Sequence, residues 1–315
     1  AQGLLAEYRR ALFAAMLFGG LAAAALGFFT ARNGLRPLRR MAGTAGDISA
    51  SRLDRRLEVA HAPEELKMLA ATFNAMLERL HDSFTRLSDF SSDLAHELRT
   101  PINNLMGQTQ VALSRVRSAE EYRAVLESNL EEYERLARMI GDMLFLAKAD
   151  NVRVPLNAEE IDLRAELDKV AEYYEVLADD ANLRIVCEGQ GRVLADRILI
   201  QRAIGNLLSN AVRHAPPGSE IGASIADLGD AVELRVANPG PGIPPEHLTR
   251  VFDRFYQVDG ARERPDAMEC SGTGAGLGLA IVKSIMRLHG GDAGATSEPG
   301  RLTTFTLRFP ASGRA

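Results

Sequence analysis

A chain of 315 residues, 46% hydrophobic and 25% charged, has room for two or three globular domains and the composition of a folded protein, not a disordered polymer. Its formal charge of −5 argues against a nucleic-acid-binding chain, because neutralising phosphates requires a basic face. Cys187 and Cys270 have neither metal-ligand nor redox-motif spacing, which argues against a disulfide framework and for a reducing compartment.

Residues 11–31, ALFAAMLFGGLAAAALGFFTA, carry no charge. At about 1.5 Å per residue they cover the roughly 30 Å hydrocarbon core of a bilayer. Arg9 and Arg10 precede the run, and Arg32, Arg36, Arg39 and Arg40 come after it, so the positive-inside tendency places everything after residue 31 in the cytoplasm. A cleaved signal peptide is the competing reading, but its apolar run is shorter and its basic flank stands in front. The expectation is a transmembrane helix over 11–31, with residues 1–10 ending an extracytoplasmic segment of a longer membrane protein.

Leu35, Leu38, Met41, Ala45 and Ile48 form a short apolar stripe, with a polar connector after it. Leu66, Leu69, Phe73, Met76 and Leu80 then alternate three and four residues apart, and the seven-residue series continues through Leu87 to Leu94. Two short helices joined by a connector, feeding a long heptad seam, predict either a parallel dimeric relay or a plain stalk. A helix is expected from about Ser88 to Ser114 and another from Ala119 to Asp150. The second carries a stripe of Tyr122, Leu126, Leu130, Tyr133, Leu136, Ile140, Met143, Leu144 and Ala147. Neither has enough apolar surface to stand alone, so a hairpin dimerising into a four-helix bundle is the economical architecture. Residues 151–159 read as a polar linker. Beyond 160, helical patterns at 162–181, 197–214 and 276–290 alternate with strand-like runs LRIVCE, EIGASIAD, AVELRVAN and LTTFTLRF, predicting an α/β sandwich. The glycine-flanked segment between Pro239 and Gly278 is longer than a passive connection and reads as a lid.

Within FSSDLAHELRTPINNL, His96 is turned about 200° from Leu94 at 100° per residue, so it faces outward while Leu94 and Leu98 hold the helix down. A neutral imidazole is a nucleophile. Glu97 can accept the ring N–H, Thr100 lies one turn on along the same face, and Pro101 can bend the helix just past the site. A zinc protease would need a second histidine where Thr100 stands. Taken alone, His96 reads as a solvated surface residue.

The C-terminal half of the chain overturns that. In QRAIGNLLSNAVRHAP, Asn206 and Asn210 share a helix face and can hold hydrated Mg²⁺ and phosphate oxygens without adding charge, while Arg213 is placed to contact phosphate. In VANPGPGIP, Asn238 can hydrogen-bond a purine edge, and Gly240 and Gly242 let the backbone approach a flat ligand. FDRFYQVD supplies Phe252 and Phe255 as lid anchors and Arg254 as a γ-phosphate contact. In GTGAGLGLAIVKSI, Gly272, Gly274, Gly276 and Gly278, with Leu277 between the last two, run into an amphipathic helix that points backbone N–H groups at an anion. It is neither a Walker A loop nor a Rossmann turn. Each cluster is a weak signal; their order is a strong one.

At this point the chain resembles the sensor histidine kinases of two-component systems over nearly its whole length. HELRTPI is similar to the family's phosphoacceptor box, NLLSNAVRHA to its N box, NPGPGI to its first glycine box, FDRFY to its F box and GAGLGLAIVK to its second glycine box. Residues 32–85 resemble a HAMP linker, 86–150 the dimerisation and phosphotransfer hairpin, and 160–311 the Bergerat-type ATP-binding domain.

The resemblance implies a bacterial inner-membrane homodimer with cytoplasmic kinase domains. It would bind ATP with Mg²⁺ (Asn206 holding the metal through the nucleotide), phosphorylate His96, and pass the phosphoryl group to an aspartate of a response regulator. It also implies phosphatase activity toward that regulator, with Glu97 and Thr100 assisting. Two departures stand out: Asn238 replaces the usual Asp that pairs with adenine, and Ala275 replaces a common Thr or Ser. Together with DMLFLAKADN these resemble the heavy-metal (copper and silver) sensor subfamily. The rival readings are a catalytically weak nucleotide-binding sensor acting mainly as a phosphatase, which Asn238 keeps open, and an ATP-gated dimer clamp, which would place a glutamate base where Asn206 stands.

Overall fold

The computed structural model describes residues 12–13, 16–32, 43, 56, 64–150, 155–258 and 276–310. The chain divides into two compact units, Ala1–Ser92 and Asp93–Ala315. In the first unit residues 16–32 are helical and exposed. Among the described residues no helix is long and apolar enough to cross a membrane. The span expected over 11–31 lies partly outside the described residues, and the first stripe of the 32–85 region, Leu35 to Ile48, has all five of its residues outside them.

Helix α1, Glu64–Leu113, is continuous and carries Pro101 inside it. A single helix therefore serves both the heptad seam and the phosphoacceptor stretch, and Pro101, itself buried, does not interrupt it. Within the first unit the seam is split. Ala70 and Leu77 are buried, while Leu69, Met76, Leu80 and Leu87 are exposed. Residues four and seven apart share a stripe that one chain covers, and the neighbouring stripe stays open.

The second unit begins with the end of α1 and with α2, Ala119–Asp150. A reciprocal capping box starts α2: the Glu121 amide donates to Ser118 Oγ at 3.1 Å and the Ser118 amide to Glu121 Oε2 at 2.9 Å. Thr109 and Asn129 (3.4 Å), with Gln108 and Ser128 (3.5 Å), tie the two helices in antiparallel register. Leu105, Ala112, Met139, Met143 and Leu146 are buried. Of the stripe expected on α2, Met143 is buried, but Leu126, Leu130, Tyr133, Ile140 and Leu144 are exposed. A two-helix hairpin closes only one seam, so the second apolar face is left uncovered.

After the linker, β1 (Ala158–Asp162) and β3 (Arg192–Asp196) pair as an antiparallel ribbon. Each strand ends in an aspartate that caps the next helix. Asp162 accepts from the Arg164 and Ala165 amides to start α3, Leu163–Asp180. Asp196 accepts from the Ile198 and Leu199 amides to start α4, Arg197–His214. Buried Glu166 is held by Arg197 and by Gln201 Nε2 at 2.5 Å, joining α3 to α4. The main sheet has the order β2 (Arg184–Gly189), β4 (Glu220–Asp227), β5 (Ala231–Pro239), β7 (Leu302–Pro310), β6 (Asp292–Glu298). Strands β4 and β7 alternate buried and exposed residues, as expected when one sheet face carries the helices. Leu167, Ile200, Ile204, Leu207 and Leu208 from α3 and α4, with Ile281 and Ile285 from a later helix, meet Leu234, Val236, Phe305 and Leu307 in the core. This two-layer sandwich is the architecture expected for residues 160–311. The expected helices match α3 and α4 closely. The sequence pattern does not predict the ribbon strands β1 and β3 or the edge strand β6.

Candidate functional site

His96 is exposed on α1, with Leu94 and Leu98 half-buried beneath it, as the 100° periodicity requires. Glu97 is half-buried and Thr100 exposed. Glu97 makes no hydrogen bond to His96 among the described residues. The imidazole stands open for an in-line approach.

The nucleotide-type site is built around α4. Leu207, Leu208 and Ala211 are buried against the sheet, which turns Asn206 and Asn210 along a different, half-buried face. Arg213 is exposed on the last turn. A short helix α5, Pro245–Leu248, comes after the first glycine turn, and helix α6 spans Gly278–Leu288.

Both glycine boxes abut α4. A Cβ on Gly278 would lie 3.4 Å from Asn206 Oδ1, and one on Gly240 would lie 2.9 Å from the His214 carbonyl oxygen. At the start of α6, Leu277 is fully buried and Gly276 has φ +66. A side chain on Gly276 would meet the Phe255 carbonyl carbon at 2.8 Å. Phe255 itself adopts φ +59 and donates its amide to the Gly276 carbonyl at 3.0 Å. The F box and the second glycine box are thereby brought together. Phe252 packs edge-on against Phe305, with centroids 6.2 Å apart, and Lys283 Nζ lies 5.5 Å over its ring. Tyr256 is held by a hydrogen bond to His247 Nδ1 and by Arg250 over its ring at 4.4 Å. Gly242, at φ +80, packs on Pro299.

Asn238 is 3% exposed at the end of β5. Its Nδ2 donates to the Pro239 carbonyl at 3.0 Å, leaving Oδ1 as the acceptor for a purine amino group. Arg254 is half-buried. Gly272, Gly274 and Ala275 lie outside the described residues, as does Cys270. Burial pushes the Cys187 thiol above its usual range, the behaviour of a structural and not a reactive cysteine.

Whether this site suits a metal-bound triphosphate turns on Asn206. Its Nδ2 is buried with no partner, a costly arrangement in a folded domain. Rotation of the carboxamide exchanges donor for acceptor, so the orphaned position suits either a phosphate oxygen or a metal ion and its water. Gly278 places no side chain against the Asn206 carboxamide. The residues present fit the group.

Sequence reasoning missed Asp142, Arg202 and Phe145. Arg202 Nη2 on α4 donates to Asp142 on α2, and the guanidinium lies 4.5 Å over the Phe145 ring. Burial pushes the Asp142 carboxyl up against the opposing pull of Arg202 and Arg138. No spacing rule links residues sixty apart.

Three family models match the chain. Residues 29–82 match the HAMP domain, 86–152 the His Kinase A (phospho-acceptor) domain, and 195–313 the histidine kinase-, DNA gyrase B- and HSP90-like ATPase. A phosphoacceptor hairpin continuing into this ATP-binding domain defines the class, and the chain belongs to the sensor histidine kinases. It is 50% identical over 288 residues to the sensor protein IrlS of Burkholderia pseudomallei, covering 91% of this chain and 61% of that one. It is 46% identical over 308 residues to the sensor protein CzcS of Cupriavidus metallidurans (98% and 63%), and 44% identical over 279 residues to the sensor histidine kinase CusS of Escherichia coli K12 (88% and 57%). The chain spans about three fifths of the length of these curated relatives. Among solved structures it is similar to the histidine kinase AdeS of Acinetobacter baumannii, at TM-score 0.55 and 25% identity, covering 69% of this chain and 98% of that one. It is also similar to full-length ShkA in complex with AMPPNP, at TM-score 0.53 and 28% identity, covering 71% and 46%.

Proposed function

We propose that the protein is a membrane sensor histidine kinase that autophosphorylates His96 from ATP and passes the phosphoryl group to an aspartate of a response regulator. The observation that carries this reading is the presence, in one unit, of an exposed imidazole on a helical hairpin and, on α4 beside the glycine boxes, a buried Asn206 amide with no hydrogen-bond partner. Nucleophile and anion site occur together. In this reading a neutral nitrogen of His96 attacks the γ-phosphorus, the bond to the β,γ-bridging oxygen breaks, ADP departs, and Glu97 takes the ring proton. Arg213, Arg254 and the amides at Gly276 and Gly278 face the phosphates, Phe255 and Leu277 shape the lid base, and Asn238 meets the purine between Gly240 and Gly242. Mg²⁺, held through Asn206 with Asn210 beside it, supplies charge neutralisation on the phosphate oxygens. The complex of the ShkA relative with AMPPNP supports a nucleotide as the ligand of this domain.

The apolar stripes exposed on α1 and α2 support a homodimer, since a second copy packed on the hairpin would bury Leu69, Met76, Leu80, Leu126 and Leu130. Residues 11–31 span the inner membrane in this reading and leave the kinase domains cytoplasmic. Thr100, one turn from His96, positions the water that hydrolyses the regulator's phosphoaspartate. Assignment to the heavy-metal sensor subfamily rests on the motif resemblance and on the identity to CzcS and CusS.

The replacement of the usual Asp by the uncharged Asn238, which offers an adenine amino group a neutral Oδ1 in place of a carboxylate, favours one second reading, a weak nucleotide binder that serves mainly as a phosphatase. Incubation of the full chain with γ-labelled ATP tests both. Acid-labile, base-stable label on the native chain and none on His96→Gln, with nucleotide binding retained, is the expected result. Label persisting on the variant would sink the assignment; absence of label on the native chain would leave the phosphatase reading.

A further inference from the structure

A contact between the hairpin and the ATP-binding domain has no part in the phosphotransfer chemistry. Arg202 lies one turn before Asn206 on α4, and it reaches both Asp142 and Phe145 on α2. Those two residues are three apart and so share a helix face, next to buried Met139, Met143 and Leu146. Helix α6 packs against α2 as well. The side chain of Asp142 is only 17% exposed and that of Arg202 32%. A half-withdrawn carboxylate of this kind depends on its arginine, because removing the partner strands the charge. Arg138 is the other cation acting on Asp142.

The hairpin register places this contact along the helices. Thr109 of α1 faces Asn129 of α2. His96 lies thirteen residues before Thr109 and Asp142 thirteen residues after Asn129, about 20 Å in each case at 1.5 Å per residue. Asp142 is therefore level with His96. The nucleotide helix α4 is seated at the height of the phosphoacceptor, but on the other helix of the hairpin, and His96 remains exposed.

We propose that Asp142, Arg202 and Phe145 form a latch that parks the ATP-binding domain on α2 beside His96, leaving the histidine open to a partner protein and restraining its labelling from ATP. The proposal rests on the kinase reading for its consequence, and on geometry alone for the contact. These are positioning residues, since none touches the reacting atoms.

The test uses the full chain in detergent with Asp142→Ala, Arg202→Ala and the exchanged pair Asp142→Arg/Arg202→Asp. Each single variant is expected to raise the initial rate of His96 labelling by about five-fold or more, with the KM for ATP within about two-fold of native, and the exchanged pair to return toward the native rate. Variants that label at the native rate or slower, or that change KM instead of kcat, would overturn the latch. A second readout does not require activity. Nitroxides at the exposed positions Glu131 and Ser224, in a Cys187→Ser/Cys270→Ser background diluted with unlabelled chain, should give one narrow distance that broadens in both single variants. A distance unchanged in the variants removes the latch and leaves the kinase reading intact. A native chain that never labels, but whose distance broadens in the variants, removes the kinase reading and keeps the latch as a docking contact.

Discussion

The hairpin and the ATP-binding domain solve the burial problem in opposite ways. On α2, Leu126, Leu130 and Tyr133 are 67%, 58% and 57% exposed, whereas on α4 Leu207 and Leu208 are fully buried. A pair of helices can close only the seam between them, while a sheet with helices on one face supplies its own second layer. The functional side chains obey the same division. His96 sits where little packs and is open to incoming groups; Asn206 sits on a half-buried helix face, and its Nδ2 is buried without a hydrogen-bond partner. One region presents a nucleophile and the other buries an unpartnered amide.

That contrast can be broken at either end. The largest expected effect on activity with the smallest on stability is His96→Gln, which should reduce labelling to background while shifting the thermal midpoint by no more than about 2 °C, since surface substitutions cost about 0.5 kcal/mol or less. Leu207→Ala should do the reverse, costing about 2 to 5 kcal/mol by leaving a cavity under α4. Denaturant titration of the full chain should show the loss in the transition of the ATP-binding domain. Gly276→Ala should come next: a Cβ at φ +66 against the Phe255 backbone costs about 1 to 3 kcal/mol, felt mainly as weaker nucleotide binding by calorimetry. Asp196→Ala removes the α4 cap and should cost about 1 kcal/mol, read as a midpoint lowered by about 2 to 4 °C. At the small end, Arg123→Ala breaks an exposed i,i+4 pair with Glu127 on the hairpin and should cost less than about 0.5 kcal/mol. A large effect there would mean that the open face of α2 is more structured than its exposure suggests.

Periodicity and punctuation carried much of this fold. EIGASIAD coincides with β4, and the helical pattern at 197–214 coincides with α4, because each has a strong apolar period bounded by a cap or a turn. The missed strands lack such signals. AEEID and RVLAD are five residues each and pair only with one another, and DAGATSE is an edge strand of small and polar residues with a single β-branched member. On α2, period alone marked nine positions as one stripe without distinguishing Met143, which is covered within the chain, from Leu144, which is not.

The sequence by itself determined which chemical groups are present and in what order: an outward-facing His96, two asparagines one turn apart, and glycines where backbone must approach closely. These are local properties, set by 100° per residue along a helix and by the absence of a Cβ. Only the tertiary structure decided that Gly278 meets Asn206, that Gly240 meets His214, and that Arg202 reaches Asp142 at the level of His96. Contacts between residues this far apart in the chain depend on how buried faces stack, and no helical or strand period extends across the turns that bring those faces together.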